Sequence, residues 1–226
     1  MCGRFAQGDT DAIYSKYRVK ISESLRKKIH PRYNIAPFQI VPVVTQDEDK
    51  KNKLELMRWG FIPYWAKDVK IGYKLINARS ETIFEKPSFK RSAKSKRCIV
   101  PATGFYEWKH AGNSKIPYFV KPSKDSLFSL AGLFDEWMDP EGKKVKTFTI
   151  LTTEPNKVLK PIHKRMPVVL EKNEEEPWIG KRVQDTDLLE SLFDPYPVRH
   201  MNVYEVSREV NSPSNDKESF TQPLKK

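Results

Sequence analysis

Apolar and β-branched residues recur along this chain in short runs bounded by Pro, Gly and charge, a pattern of strands rather than of long helices. Such runs lie near Ile40 and Leu54 and begin at Arg97, Tyr118, Phe128, Lys146 and His200. The run from Arg97 reaches Trp108 and is the longest of them. Asp139-Pro140-Glu141-Gly142 separates the Phe128 and Lys146 runs and signals a hairpin turn. Helical patterns are fewer, at residues 11–17, 88–94, 156–162 and 185–193, the last with Thr186 as its N-cap. Strands and helices do not alternate as βαβ units. The expectation is therefore an α+β single domain with a curved, barrel-like, mainly antiparallel sheet flanked by a few short helices. The domain should span residues 2–210. Residues 211–226 are polar and Pro-containing and are expected to form a mobile tail.

Composition narrows the function. The chain has 226 residues, with five Trp, twelve Phe and nine Tyr available for a core. Lys and Arg number 41 against 29 Asp and Glu, a net charge of +12. That excess favours a polyanionic partner, nucleic acid first, although a charged surface also serves solubility. Two cysteines, Cys2 and Cys98, argue against a secreted disulfide framework and favour a reduced, cytoplasmic setting. Zinc-ligand spacing is absent from the sequence. The opening residues show neither a signal-peptide h-region nor transit character. No stretch approaches the ~20 apolar residues of a membrane span.

Six motifs carry candidate chemistry. In Met1-Cys2-Gly3-Arg4-Phe5 the small second residue permits removal of Met1, which leaves Cys2 with a free α-amine beside its thiol. The amine titrates at about 7.7–8.0 and the thiol at about 8.5 before tuning. A 1,2-aminothiol can attack an aldehyde through nitrogen and close a thiazolidine through sulfur, or serve as an N-terminal nucleophile with its own amine as base. Taken alone, the pentapeptide reads rather as a chance cysteine at a frayed terminus. Tyr33-Asn34-Ile35-Ala36-Pro37 alone is a turn. Around Trp59-Gly60-Phe61-Ile62-Pro63-Tyr64-Trp65, clustered aromatics beside Arg58 and Lys67 suit base stacking next to phosphates. Trp59 reads as core and Trp65 as surface.

Asn77-Ala78-Arg79 sets an amide and a guanidinium on one side of an extended segment, where they can hold a substrate oxygen and a phosphate, or simply cap the next segment. Glu107, between aromatics in Gly104-Phe105-Tyr106-Glu107-Trp108, should be buried. It is then either a proton shuttle with a raised pKa or half of a structural ion pair. Of the four histidines, His163 in Ile162-His163-Lys164-Arg165-Met166-Pro167 is the best acid–base candidate, because it sits where an element ends.

This ordered set, from Cys2 to about Arg208, resembles the SOS-response-associated peptidase family. The resemblance implies a single α+β domain around a barrel-like sheet, self-removal of Met1, and covalent capture of abasic sites in single-stranded DNA without metal or organic cofactor. It makes Cys2 the nucleophile. Asn77 positions the N-terminus and the opened sugar, Glu107 shuttles protons, and His163 acts on the ring-opened sugar. Arg4, Pro37, Trp65, Arg79 and Arg165 are the implied DNA contacts. Members can carry a second aromatic after the Trp65 position; here it is Ala66, with Tyr64 as the candidate stand-in. The implied partner is abasic single-stranded DNA, the implied state a monomer, and the implied location cytoplasmic, at the nucleoid or, in a eukaryote, nuclear. Two other functions fit the same residues: a thiol peptidase acting on other proteins, and a non-covalent single-strand binder.

Overall fold

A computed structural model describes residues 2–112 and 114–224. Thirteen strands are present among them: β1 (Phe5–Gln7), β2 (Arg32–Ile35), β3 (Ile40–Gln46), β4 (Asn52–Trp59), β5 (Asn77–Arg79), β6 (Arg97–Ala102), β7 (Gly104–Ala111), β8 (Ser114–Pro122), β9 (Phe128–Met138), β10 (Lys144–Thr153), β11 (Met166–Pro167), β12 (Val169–Leu170) and β13 (Met201–Glu205). Five short helices join them: α1 (Thr10–Lys16), α2 (Glu23–Arg26), α3 (Lys90–Ser95), α4 (Glu175–Ile179) and α5 (Thr186–Glu190). The expected α+β architecture is found. β10, β4, β3, β6 and β9 pair in that order and β9 returns to β10, so these strands close into a barrel. A second sheet runs β13-β8-β7-β1-β2. Most pairs are antiparallel, while β10 pairs parallel with β4 and β5.

Alternation along the barrel strands divides the apolar residues between two cores. Val44, Ile99, Ala131, Leu133 and Leu151 face a core completed by Ile13 of α1, Ala93 of α3, Trp178 of α4 and Leu189 of α5. Val43, Cys98, Val100, Leu130, Phe148 and Ile150 face the other, which they share with Phe5, Ile35, Phe105 and Val120 of the second sheet and with Cys2. The candidate nucleophile is thus seated in the second core, between the barrel and the smaller sheet.

Local chemistry explains where the elements depart from the sequence pattern. The long run from Arg97 is broken at Thr103, whose N–H donates to the Ala6 carbonyl at 2.8 Å. Its first half joins the barrel and its second half the other sheet. Gly104 makes the crossing possible: a Cβ there would lie 2.3 Å from the Phe119 ring and 2.5 Å from the Val120 carbonyl oxygen. The expected hairpin turn joins β9 to β10, with Gly142 at φ +80°. Residues 156–162 form turns instead of the expected helix. The Asn156 side chain accepts from Val158 and Leu159 N–H, and Pro161 has no N–H to continue a helical ladder. Asp185, not Thr186, caps α5, accepting from Leu188 N–H at 3.1 Å.

Residues 211–224, polar in composition, pack against the second sheet. The Asn34 side chain donates to the Ser212 and Asn215 carbonyls at 3.0 and 2.6 Å, and Arg32 pairs with Asp216 at 2.5 Å. Phe220 is buried against Tyr106, Phe119 and Val206. One apolar anchor and the carbonyls satisfied by Asn34 hold a stretch whose average composition argues for disorder. Among the described residues no helix is long and apolar enough to cross a membrane.

Candidate functional site

The start of the chain is held as a strand. β1 pairs with β2 (Phe5↔Ile35) and with β7 (Phe5↔Phe105), and Tyr106 N–H donates to the Arg4 carbonyl at 2.9 Å. Phe5 is fully buried, edge-on to Trp59 with ring centroids 5.1 Å apart. Burial of such side chains is worth about 1.5–3 kcal/mol each, enough to keep a terminal strand from fraying. Cys2, just ahead of β1, is fully buried, and its thiol points at the Arg4 carbonyl oxygen at 3.8 Å. Burial, and secondly the nearby Glu107 charge, push the thiol well above the usual cysteine range, so it is held protonated.

Asn77 arrives from the barrel. β5 runs parallel to β10, with Asn77 opposite Ile150 and Arg79 opposite Thr152, and the Trp59 indole N–H fixes the Ile76 carbonyl at 2.8 Å. From there Asn77 Nδ2 donates to the Cys2 carbonyl at 2.8 Å. Ala78 is buried between Asn77 and exposed Arg79, the alternation expected of an extended segment.

Glu107 comes from β7, beside the strand that Cys2 leads into. Its side chain is 2 % exposed. Burial pushes its carboxyl from 4.5 up to about 7, where it is part ionised at neutral pH and can both give and take a proton. His163 stands at the end of the turns after β10, with Nδ1 3.9 Å from Glu107 Oε1. Nδ1 also lies 3.1 Å from both the amide nitrogen and the carbonyl oxygen of Arg165. Neutral, it accepts from the amide; protonated, it donates to the carbonyl. The ring therefore has a backbone partner at Nδ1 in either protonation state. Burial lowers its pKa below the usual histidine value, which keeps it neutral at pH 7. The structure thus brings Cys2 to Asn77 and Glu107 to His163 by direct contact, and couples Cys2 to Glu107 electrostatically. Met1, whose removal the resemblance implies, lies outside the described residues.

The arginines differ from one another. Arg79 is exposed. Arg165 makes a two-pronged pair with Glu81, at 2.5 and 2.8 Å, and also donates to the Thr152 carbonyl. Arg4 is 9 % exposed and donates to Asn34 Oδ1 at 2.6 Å and the Val210 carbonyl at 2.8 Å. Its guanidinium stands over the Trp108 ring at 5.7 Å. Of the other residues expected at DNA, Pro37 is half-buried in the turn after β2 and Trp65 is 48 % exposed on a turn after β4. Trp59 is fully buried, as its pattern predicted.

Arg4, Glu107, Trp108, His110, Lys115, His163 and Asn211 line a cleft of about 460 Å³. Grooves of about 510 and 810 Å³ elsewhere share none of these residues. No sequence signal points to His110, Lys115, Trp108 or Asn211 as cleft residues. Lys115 comes to His110 through the β7–β8 pairing and Asn211 through the returning C-terminal segment, where Trp108 Nε1 donates to it at 2.7 Å. Asn34, a turn residue by its sequence context, is instead the buried hub joining Arg4 to Val210, Ser212 and Asn215. No local pattern marks it.

Residues 1–213 match the family model described as SOS response associated peptidase (SRAP). Abasic site processing protein YoqW of Bacillus subtilis is 46% identical over 219 residues, covering 96% of each chain. Abasic site processing protein HMCES of Gallus gallus is 33% identical over 228 residues, covering 87% of this chain and 67% of the relative. A crystal structure of a protein from Bacteroides thetaiotaomicron superposes with a TM-score of 0.88 at 30% identity, covering 99% of this chain and all of the other.

Proposed function

Because the chain belongs to the SOS response associated peptidase family, we propose that it processes abasic sites in single-stranded DNA by capturing them covalently at Cys2. The observation that carries this reading is the placement of Cys2, fixed by Asn77 at its carbonyl, beside a carboxyl poised near neutrality.

The first step frees the Cys2 α-amine by hydrolysis of the Met1–Cys2 peptide bond. An abasic sugar, when open, presents an aldehyde. The amine adds to that carbon, and Glu107 protonates the hydroxyl that leaves as water, giving a Schiff base. The thiol then adds to the imine carbon; its proton leaves through Glu107 and reaches the nitrogen, closing the thiazolidine. A thiol kept neutral by burial is stable until the aldehyde arrives, and proximity then supplies the rate, an effect of up to about 7–11 kcal/mol. Consumption of the aldehyde blocks β-elimination and protects the strand. His163 acts as acid or base on the sugar oxygens and assists release by proton transfer at the leaving sulfur. Arg79 and Trp65, both exposed, hold phosphate and base. The excess of positive charge supplies salt-sensitive affinity with little sequence preference.

Intact-mass measurement tests the proposal. The protein should lack Met1, and incubation with an abasic oligonucleotide should give a heat-stable adduct of protein plus DNA minus one water, mapped to Cys2. Retention of Met1, or absence of the adduct, overturns it. Turnover of unrelated peptides would favour a peptidase acting in trans, and affinity without an adduct a non-covalent binder.

A further inference from the structure

The core covered by α1, α4 and α5 is the one that does not hold Cys2, and the surface over it carries a furrow that the proposed chemistry leaves unused. The grooves of about 510 and 810 Å³ share Gln46, Asp47, Lys50, Lys172 and Glu176, so they run together. The walls are the turn between β3 and β4, the end of α1, and α4 with the segment that follows it. These walls are tied to one another and to the barrel. Asn52 donates to the Tyr17 carbonyl at 3.0 Å, joining the turn to α1. Arg97 of β6 is 3 % exposed and meets no carboxylate; its guanidinium donates to the Trp178, Gly180 and Val183 carbonyls at 2.5, 2.5 and 2.8 Å. The wall at residues 178–183 is therefore fixed before a ligand arrives, which lowers the ordering cost of binding.

The furrow is positive and partly apolar. Its carboxylates are largely matched from within: Glu175 by Lys16 at 3.1 Å, Asp47 by Lys53 at 3.2 Å and Glu48 by Lys181 at 2.7 Å. That leaves Arg18, Lys20, Lys50, Lys51, Lys172 and Arg182 exposed along it, with no ion-pair partner among the described residues. Two of them, Arg18 at φ 51° and Lys50 at φ 61°, hold the left-handed backbone that residues other than glycine seldom adopt. Leu188, an exposed leucine, stands in the same furrow with Pro177 and Val183. This combination selects the occupant. The one aromatic residue in the lining, Tyr17, is buried, so a nucleobase finds no ring to stack on. Carboxylates interspersed with the cations oppose the unbroken charge of a phosphate backbone. A peptide can set its carboxylates against the cations alone and give an apolar side chain to Leu188.

We propose that this furrow docks an acidic peptide segment of a partner protein, with carboxylates on Arg18, Lys50 and Lys172 and one apolar side chain against Leu188, Pro177 and Val183. The site shares no residue with the Cys2 cleft and does not depend on the capture chemistry.

The test is fluorescence anisotropy of the full chain with a labelled peptide that carries one Leu between two runs of three Asp. It should bind saturably, and its counterpart with Asn in place of Asp should bind roughly 10-fold more weakly or worse. The double variant Lys50→Glu, Lys172→Glu should weaken the acidic peptide by roughly 10-fold, and Leu188→Ser by roughly 5-fold. All three positions are exposed, so the melting temperature should hold and the losses report binding. Neither variant should change the affinity for undamaged single strands or the rate of adduct formation with an abasic one. Failure of the acidic peptide to bind overturns the site, as does equal binding of the Asn counterpart or an unchanged affinity in the double variant. If the double variant loses affinity for single strands or duplex as much as for the peptide, the furrow holds nucleic acid and the peptide assignment falls. If the peptide binds as described but no Cys2 adduct forms, the furrow stands and the capture chemistry falls.

Discussion

Replacing Glu107 with Gln separates the energetic cost of burying this carboxylate from its chemical use. The folded protein raises the carboxyl from 4.5 to about 7, which at about 1.36 kcal/mol per tenfold change in acidity amounts to roughly 3 kcal/mol. The sign depends on which state holds the proton. Between pH 4.5 and about 7 the folded state keeps a proton that the unfolded chain has released, so stability falls as pH rises through that window. Above it the full penalty is present; below it there is none. Gln carries no charge and shows no such slope. Glu107→Gln should therefore match wild type near pH 4.5 and exceed it by up to roughly 3 kcal/mol near pH 8. Urea unfolding followed by tryptophan fluorescence across this range measures it, and the difference between the two proteins cancels the titrations they share. The same variant should lose on the order of 10²–10⁴ in crosslinking rate if Glu107 is a general acid–base. A stability difference that stays flat with pH refutes the argument, because Glu107 would then ionise as an ordinary glutamate and be unfit to exchange protons near neutrality.

Three further outcomes are expected. Cys2→Ala keeps the α-amine and should give only a borohydride-trappable Schiff base with strand cleavage; a heat-stable adduct without reductant would remove Cys2 from the capturing role. Arg79→Ala should lower the salt slope of single-strand binding by roughly 0.7, whereas Arg165→Ala, whose side chain is occupied by Glu81, should lower it less; slopes that fall equally in a salt titration would show that Glu81 releases Arg165 to the DNA. His163→Ala should slow crosslink reversal more than it weakens affinity for undamaged strands, and equal effects on both would make His163 a structural residue.

The strand-rich α+β architecture was legible because its signals are local. The apolar and β-branched runs of β3, β9 and β10 and the Gly142 turn each operate over a few residues. The pattern also placed Trp59 inside and Trp65 outside, since Trp65 follows Pro63, beyond the end of β4. What escaped the sequence depends on distant partners. β1 and β2 are too short for a periodic pattern and exist because each borrows neighbours from the second sheet. The break at Thr103 lies within an unbroken β-like run and is visible only once Phe119 and Val120 crowd Gly104. The rim of the cleft is assembled from Lys115 and Asn211, which no spacing rule connects. Arg4 shows the limit most clearly. The resemblance implies a DNA contact for it, and nothing in the sequence shows that its guanidinium also binds the Asn34 amide and the Val210 carbonyl.

Seating Arg4 in this way has a consequence for biosynthesis. Its side chain is held by Asn34 and by the Val210 carbonyl, so the strand that follows Cys2 is braced by a residue synthesised 206 positions later. Until Val210 has emerged, Arg4 lacks that acceptor and the bed that seats the first strand is incomplete. β1 must also wait for β7 to hold Glu107 beside it. The surroundings of Cys2 are therefore complete only once residues through Val210 are in place, and a shorter nascent chain presents the same cysteine without them. If Cys2 captures aldehydes as proposed, one met before Val210 is in place would find that cysteine in an incomplete setting.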